Sequence, residues 1–336
     1  MAQLTLCIPT YNRAALLEQA LESIVGQAGD AVEIVVSDNG STDATRAVME
    51  RFAARFPRLT YFRQPENLGF DRNMLKAVEL ARGEYCWLFG SDDALAPDAL
   101  ARVLPLLGEA DVLVLDRINM SLDFARSLGV ERMLAAPPGT RYQCGDQAQL
   151  LRYFDDANSI GGMFSYISGL IVRRALWNAA GTQDAFVGSG YIHVAKMLAV
   201  VNRGATVLYP GAALVLNRTG NDELQRDVGY TRRRLTDLNF GDIAAAVFAE
   251  RPAVRDRIVA RLARQFFNLR TLLSDKRSAY RADGAAAPGR LLERYRTLFR
   301  REPGYRFKLA AWYLMNPALL DFARRLFGRQ PERGQA

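Results

Sequence analysis

The chain of 336 residues is 49% hydrophobic and carries a formal net charge of +8. This composition excludes a disordered chain and suffices for a substantial core, so we expect one large domain with an additional segment. No run of about 18 apolar residues occurs, as a membrane-spanning helix would need, and no basic segment precedes the first apolar run as in a signal peptide. Three widely spaced cysteines indicate buried thiols and a cytoplasmic protein rather than disulfides.

The charge is distributed unevenly along the chain. Residues 1–225 hold 20 Lys and Arg against 25 Asp and Glu, a net charge of −5, whereas residues 226–336 hold 24 against 11, a net charge of +13. A basic C-terminal third is typical of proteins that contact an anionic partner, either nucleic acid or a membrane surface.

Strands and helices alternate along the N-terminal part of the chain. The predicted strands are Leu4–Ile8, Val32–Ser37, Leu59–Arg63 and Tyr85–Phe89, and the predicted helices are Ala14–Val25, 44–56, Arg72–Ala81 and Pro97–Leu107. This alternation predicts an α/β fold with a mostly parallel sheet and helices on both faces.

Polar residues follow three of these strands. Tyr11 lies in the turn Pro9–Arg13, Asp38 follows the second strand, and Asp92 and Asp93 follow the fourth. Because open α/β sheets bind ligands at the carboxyl ends of their strands, we expect these side chains to converge. Neither a G-x-G-x-x-G turn nor a Walker-type lysine loop is present. Two adjacent carboxylates are suited to Mg²⁺ or Mn²⁺, so the sequence predicts a site for a metal ion and a nucleotide.

Four motifs occur in order: C-I-P-T-Y-N-R, V-V-S-D-N-G-S-T-D, E-N-L-G-F-D-R-N and a strand that closes in G-S-D-D. In sequence and spacing they resemble the family 2 inverting glycosyltransferases, which implies the GT-A nucleotide-sugar fold over roughly residues 3–220. The segments W-L-F-G-S-D-D, S-Y-I-S-G-L-I-V-R-R and G-S-G-Y-I-H-V most resemble the abequosyltransferase-type enzymes of O-antigen assembly.

The resemblance implies a role for each matching residue. The residues expected to bind the nucleotide sugar are Pro9, Thr10, Tyr11, Asp38, Arg72 and Asp92. Tyr11 would stack on the base, Asp38 would accept a hydrogen bond from the base or ribose, and Asp93, with Asp92, would hold Mg²⁺ or Mn²⁺ on the diphosphate. Four of these assignments also have a plain structural alternative. Tyr11 could be an ordinary turn aromatic and Asp38 a turn former. Arg72 could be a solvated charge, and Asp92 and Asp93 could cap a helix.

The family's catalytic base is generally an acidic residue in a later motif, and here the matching position holds Gly190 and Tyr191. No carboxylate lies within five residues of them. His193, the only histidine, is the first candidate for the base because an imidazole can accept a proton at neutral pH. Asp184 and Tyr191 are the alternatives, and His193 could instead merely pack against the sheet.

From about Tyr230 a helical period replaces the alternation, and we expect two domains: residues 1–225 with the GT-A fold and residues 226–336 as a helical, basic region. Val254–Leu273 reads as one helix. Aromatic and basic residues within 290–327 fit an interfacial helix pair on the inner membrane, although a packing helix with a basic face fits as well. The resemblance implies a saccharide or polyprenyl-diphosphate-linked acceptor, which would suit membrane attachment.

The leading interpretation is therefore a metal-dependent inverting glycosyltransferase that uses a nucleoside-diphosphate sugar. A non-catalytic nucleotide-sugar binder is the first alternative, since an acidic base is missing from the motif. A nucleic-acid-binding protein would also have a sequence pI near 9.6, but no nucleic-acid-binding module is recognisable, so we expect no nucleic acid partner.

Overall fold

A computed structural model describes residues 2–220 and 229–315 of the chain. Twelve strands are present in these ranges. In chain order they are β1 Leu4–Thr10, β2 Val32–Asp38, β3 Leu59–Arg63, β4 Tyr85–Leu88, β5 Ala94–Leu95, β6 Val112–Val114, β7 Asp116–Met120, β8 Ser127–Glu131, β9 Thr140–Gln143, β10 Leu170–Arg173, β11 Thr206–Tyr209 and β12 Ala213–Arg218.

Eight of the strands form one sheet in the order β3-β2-β1-β4-β10-β6-β11-β9. The first four are mutually parallel, and β10 is inserted antiparallel between β4 and β6. The remaining four strands form a smaller sheet in the order β5-β12-β7-β8. The mostly parallel α/β architecture predicted from the alternation of elements is confirmed.

Helices connect and flank the strands. They are α1 Ala14–Val25, α2 Thr45–Arg55, α3 Phe70–Glu79, α4 Ala99–Val103, α5 Gln147–Asp156, α6 Arg174–Ala179, α7 Ile192–Asn202, α8 Tyr230–Val247, α9 Pro252–Phe266, α10 Leu269–Asp283, α11 Ala287–Phe299 and α12 Tyr305–Leu314. A π-helical turn spans Gly161–Ser165 and precedes β10.

The central strand β1 is buried on both faces, which is why its sequence is an apolar run rather than an alternating one. Leu4, Leu6 and Ile8 belong to the core that includes α1 and α2. Successive side chains of a strand point to opposite faces, and α3 contacts β1 and β2 without contributing to that core. Helices therefore cover both faces of the sheet.

Some elements differ from the prediction at their ends. Pro9 and Thr10 are the last residues of β1 rather than part of the turn. Helix α3 begins at Phe70, because Gly69 with φ 85° stands before it. The predicted helix Val254–Leu273 is two helices, since Asn268 begins α10 by accepting a hydrogen bond from the Thr271 amide on its side-chain oxygen.

The described residues form two compact units. One comprises the chain up to Gly220 together with Ile243–Arg255, and the other comprises Gly229–Asp242 and Asp256–Met315. The predicted domain boundary at 225/226 lies outside the described residues and stays a prediction. Within the described ranges, no helix combines the length and the apolar character needed to cross a bilayer.

Candidate active site

The carboxyl ends of three neighbouring strands form the candidate site. β1 pairs in parallel with β2 on one side and with β4 on the other, so the three strands end at the same edge of the sheet. Tyr11 follows β1, Asp38 ends β2, and Asp92 and Asp93 follow β4. The structure thus brings these four predicted residues to the edge where open α/β sheets bind ligands.

Of the three residues at the end of β1 that are expected to bind the nucleotide sugar, Tyr11 is the accessible one. Its side chain is 41% exposed, whereas Pro9 and Thr10 are buried in the strand. The Thr10 hydroxyl is buried and has no hydrogen-bond partner. The aromatic ring of Tyr11 is therefore accessible for stacking on a base, whereas the hydroxyl oxygen of Thr10 is buried without a hydrogen-bond partner.

Asp38 is buried completely, and neighbouring residues contact its carboxylate. Its carboxylate accepts hydrogen bonds from the Tyr61 hydroxyl at 2.6 Å and from the Ser41 amide at 2.8 Å, and the Arg63 Nε lies 3.7 Å away. Burial, followed by the hydrogen bond to Asp38, raises the pKa of Tyr61 above its ordinary value. The carboxylate is positioned firmly at the strand edge, and its internal donors already occupy part of its accepting capacity.

The loops after β1 and β2 are tied together. Asn12 adopts φ 49°, a conformation that Asn tolerates better than most residues. Its side-chain oxygen accepts from the Thr42 amide at 2.7 Å, and its own amide donates to the Ser41 hydroxyl at 2.8 Å. These contacts fix the backbone immediately after Tyr11.

Asp93 is the buried member of the acidic pair, with 6% of the residue exposed. Its carboxylate accepts hydrogen bonds from the Ser168 hydroxyl at 2.6 Å, the Tyr166 hydroxyl at 3.1 Å and the Arg218 amide at 3.3 Å. Burial, and then the charge of Asp92, raise the pKa of Asp93 to about 7. Negative charge at this position is therefore only partly compensated by the protein.

Asp92 is more accessible and pairs with Arg13, whose Nη1 lies 3.3 Å from its Oδ2. This ion pair joins the loop after β1 to the loop after β4. The Arg218 Nε donates to the Asp92 carbonyl at 3.1 Å. The space beside Gly90 is tight, because a Cβ atom there would lie 3.0 Å from Asp92 Oδ1 and 3.2 Å from the Ser168 hydroxyl oxygen.

The supporting residues Tyr166, Ser168 and Arg218 were missed by the sequence reasoning. They come from segments 73 to 125 residues away from Asp93. Only the segment S-Y-I-S-G, noted as part of the resemblance, gave a signal for the first two. No motif pointed to Arg218.

Arg72, expected to bind the nucleotide sugar, is exposed in the first turn of α3. The neighbouring Asp71 is buried, and its carboxylate accepts hydrogen bonds from the amides of Gly188, Gly190 and Ile192. Burial raises the pKa of Asp71, although these amides act in the opposite direction.

The three candidates for the base occupy different environments. His193 is 2% exposed, and its Nε2 lies 3.2 Å from the Ser165 carbonyl oxygen. Because a carbonyl only accepts, Nε2 carries the proton and Nδ1 presents a lone pair, which is buried and has no hydrogen-bond partner. Burial lowers the pKa of His193 to about 4. Tyr191 is buried beside the imidazole ring, and Asp184 is exposed and accepts a hydrogen bond from the Thr182 hydroxyl.

Comparison with known proteins identifies the family. The profile of glycosyl transferase family 2 matches residues 5–166. Over 241 residues the chain is 39% identical to the abequosyltransferase RfbV of Salmonella typhimurium, an alignment that covers 70% of this chain and 72% of that protein. The chain belongs to glycosyl transferase family 2. The predicted resemblance is confirmed, and this family 2 member is an enzyme that transfers a sugar.

Other relatives match a smaller share of their own length. This glycosyltransferase is 31% identical over 132 residues to the GalNAc(5)-diNAcBac-PP-undecaprenol beta-1,3-glucosyltransferase of Campylobacter jejuni, a match that covers 37% of this chain and 43% of that enzyme.

Two solved structures show the fold. TarS of S. aureus in complex with UDP aligns with a TM-score of 0.59 at 17% identity, covering 91% of both chains. The mannosyltransferase PcManGT from Pyrobaculum calidifontis, in complex with GDP-Man and Mn2+, aligns with a TM-score of 0.53 at 19% identity, covering 98% of this chain and 88% of that one. The GT-A fold of this glycosyltransferase, with its additional C-terminal helices, is as predicted.

Proposed function

We propose that this glycosyltransferase moves a sugar, with inversion, from a nucleoside-diphosphate donor to a saccharide acceptor, and that it requires a divalent cation. The acidic pair at the sheet edge carries the proposal. Asp93 holds a buried carboxylate whose charge is only partly compensated, and Asp92 offers a second, accessible carboxylate beside it.

The donor set fits Mg²⁺ or Mn²⁺. Both ions accept hard oxygen ligands, and Mg²⁺ is usually bound by one or two carboxylates together with substrate phosphates. In the described part of the chain no group of three or more His, Cys, Asp or Glu side chains could hold a metal ion. Asp93 and Asp92 would supply the protein ligands, and the donor diphosphate would complete the coordination. When bound, the cation would offset the charge that develops on the leaving diphosphate.

The nucleotide would lie across the neighbouring strand ends. Tyr11 would stack on the base, with Pro9 and Thr10 beneath it, and Asp38 would contact the base or the ribose through the oxygen capacity that Tyr61 and Ser41 leave unused. Arg72 lies exposed at the start of α3 and could reach the phosphates. The TarS complex with UDP is consistent with a nucleotide in this fold.

For the acceptor proton, His193 stays the first candidate, and Asp184 and Tyr191 stay alternatives. The neutral imidazole has the required tautomer, because Nδ1 holds a lone pair with no donor among the described residues. Its burial makes it a weaker proton acceptor than a free imidazole. If His193 is the base, His193→Gln lowers kcat by about 10²- to 10⁴-fold with donor affinity retained. Turnover near that of the wild type would transfer the role to Asp184, tested in the same way with Asp184→Asn.

The acceptor is proposed to be a lipid-linked saccharide in the synthesis of an O-antigen-like surface polysaccharide. The names of two relatives support this: one is an abequosyltransferase, and the other names an undecaprenol-diphosphate-linked acceptor.

The membrane surface would be contacted through residues 290–327, of which 316–327 lie outside the described residues. Within α12, Phe307 is exposed between Arg306 and Lys308, and Tyr313 and Leu314 are exposed near the end of the helix. Sedimentation with anionic vesicles at low salt tests this, and a chain that stays wholly in the supernatant contradicts it.

Donor binding is tested by a thermal-shift panel of UDP-, GDP-, CDP- and dTDP-sugars, each with and without Mn²⁺. A donor that binds the folded chain raises its melting temperature by mass action. We expect at least one donor to act in a Mn²⁺-dependent manner, and Asp93→Asn to abolish the Mn²⁺-dependent part. The matched control is Asp146→Asn, which replaces a carboxylate that caps α5. If no donor shifts the melting temperature, the proposal is wrong, and binding without turnover on any acceptor would favour a non-catalytic binder.

A further inference from the structure

Helix α3 is anchored to the nucleotide side of the site by Asn73. This residue is buried, and its side-chain amide donates to the carbonyl oxygens of Thr10 at 3.2 Å and Ser37 at 2.8 Å. Its side-chain oxygen accepts from the Ser37 hydroxyl at 2.7 Å. Asn73 therefore fixes α3 to the ends of β1 and β2, immediately before Tyr11 and Asp38.

Asp71, two residues earlier, anchors α3 to a different segment. The residue is 3% exposed. Its Oδ2 accepts from the amides of Gly188 at 2.7 Å and Gly190 at 2.9 Å, and its Oδ1 accepts from the Ile192 amide at 3.2 Å. Gly188 and Gly190 have φ values of 92° and 78°, which turn their amides toward one point as side-chain-bearing residues rarely allow. One carboxylate thus satisfies three amides of residues 188–192, the glycine loop.

The glycine loop leads directly into α7, which contacts the segment that hydrogen-bonds to Asp93. Ile192 begins α7, and the next residue, His193, lies 3.2 Å from the Ser165 carbonyl and packs edge-on against Phe70 at 5.8 Å between ring centroids. Tyr166, which follows Ser165, donates to Asp93. The first turn of α3 consequently contacts both sides of the sheet edge: the strand ends through Asn73, and the start of α7 through Asp71.

This arrangement also bears on the acid that is absent from the motif. No carboxylate lies within five residues of Gly190 in the sequence, yet the Asp71 carboxylate is hydrogen-bonded to Gly190 from 119 residues away. The amide of Ile192 is buried, so without Asp71 it would lack this acceptor, and an unsatisfied buried donor is costly.

We propose that Asp71 is a positioning residue for sugar transfer, which acts by fixing the glycine loop and the first turn of α7 against the donor-binding strand ends. The inference rests on the proposed function. Asp71 acts through the loop, so its loss should disturb the geometry of the reacting groups more than the binding of the nucleotide, which is held by residues anchored separately through Asn73.

The test compares Asp71→Asn with the wild type. The variant replaces one accepting oxygen by an amide group that donates toward the loop amides. The probe is the sugar nucleotide that gives the largest Mn²⁺-dependent thermal shift with the wild type in the panel above. We expect kcat for turnover of this donor to fall by about 10- to 100-fold, as for a displacement of reacting groups by about 1 Å, while its Kd changes by less than about threefold. Hydrogen exchange should increase in the peptide that covers residues 187–194 and stay unchanged in the peptides that cover Tyr11 and Asp38.

A second variant disturbs the same loop without touching Asp71. Gly188→Ala meets no atom within 4 Å but forces a side-chain-bearing residue to φ 92°. If Asp71 acts through the loop, Gly188→Ala also lowers kcat, and the double variant loses less than the product of the two single losses. Asp146→Asn is the control: its carboxylate accepts from the Gln149 amide at the start of α5, a role that Asn fulfils equally well, so kcat should not change.

Either of two results would overturn this inference without touching the proposed function. One is a kcat and a hydrogen exchange in Asp71→Asn that equal those of the wild type. The other is a loss of kcat in the double variant that equals the product of the two single losses. If Asp71→Asn does not fold, Gly188→Ala alone tests the inference. An unchanged kcat in that variant would show that the conformation of the glycine loop does not affect sugar transfer, and would overturn the inference. A wild-type chain that binds no sugar nucleotide would refute the proposed function, and this inference with it, before any variant is compared.

Discussion

The buried imidazole of His193 predicts a specific pH dependence of stability. Burial lowers its pKa from the ordinary 6.5 to about 4 in the folded chain. Between these values the unfolded chain binds a proton that the folded chain does not, so the free energy of unfolding falls as the pH is lowered from about 6.5 to about 4. With these two pKa values, the loss due to His193 is about 2 kcal/mol at pH 5 and close to zero at pH 7.5.

The substitution His193→Gln removes this titration. Glutamine is uncharged throughout the range, and its side-chain amide can still donate toward the Ser165 carbonyl. We expect the wild type to lose about 2 kcal/mol more than the variant between pH 7.5 and pH 5. Other buried carboxyl groups titrate in both proteins, so their contribution cancels in the difference.

Urea unfolding at the two pH values, followed by tryptophan fluorescence, measures this difference. Trp87 and Trp177 are buried in the same compact unit as His193, whereas Trp312 belongs to the other unit. Both proteins are therefore prepared with Trp312→Phe, so that the signal reports the unfolding of the first unit.

Equal pH dependence of the two proteins, within about 0.5 kcal/mol, would refute the reasoning, because it would show that the folded chain protonates His193 as readily as the unfolded chain does. Such an imidazole would be open to water, and its capacity to accept a proton from an acceptor hydroxyl would be correspondingly greater. The stability measurement thus also bears on the assignment of the base.

Three further substitutions test other parts of the structure. Gly162→Ala should destabilise the fold by about 3 kcal/mol in urea unfolding, because its Cβ would lie 2.2 Å from the Met133 carbonyl oxygen. Tyr61→Phe should cost about 1.5 to 3 kcal/mol in the same assay, since the buried Asp38 carboxylate loses a hydrogen-bond donor. Tyr11→Ala should weaken nucleotide binding, measured by calorimetry, by about 1 to 3 kcal/mol through loss of stacking, with little change in stability.

Two of the three substitutions have a matched control. Gly29→Ala introduces a Cβ that meets nothing within 4 Å and should leave stability unchanged. Tyr11→Phe keeps the aromatic face and should retain nucleotide affinity. A stable Gly162→Ala variant would mean that the turn before β10 is looser than its contacts show, and full stability of Tyr61→Phe would mean that water reaches Asp38. Unchanged affinity in Tyr11→Ala would place the base elsewhere.

The parts of the fold that depend on local sequence were predictable. The helix Ala14–Val25 and the strand Leu59–Arg63 have the predicted bounds, because apolar periodicity and turn residues delimit them. The end of β1 was not predictable in this way. Pro9 was expected in a turn, yet it lies within a parallel strand at a position paired with Ser37, where β1 is already near its end.

The surroundings of the acidic pair could not be predicted from spacing. Tyr166, Ser168 and Arg218 reach Asp93 only because β10 lies beside β4 and β12 belongs to the smaller sheet next to β5. A sequence motif identifies residues that are close along the chain. These contacts depend instead on the order of the strands in the sheets, which the motifs do not contain. The missing acid near Gly190 shows the same limitation, since the carboxylate at this loop comes from Asp71.

The energetics of Asp93 explain why its arrangement favours a ligand-binding role over a structural one. A buried carboxylate is stabilised most when a cation and several donors compensate its charge. Among the described residues, Asp93 accepts hydrogen bonds from two hydroxyls and one amide, and the Arg218 guanidinium attracts both carboxylates electrostatically, while the Arg13 side chain forms an ion pair with Asp92. Its pKa is accordingly raised to about 7. A helix cap or a turn former would not require two adjacent carboxylates in this environment, because a single acid or an asparagine would perform the same task without the repulsion. If the pair binds a divalent cation as proposed, keeping both carboxylates would lower the stability of the folded chain without the cation and raise it with the cation bound, which is expected of a functional site.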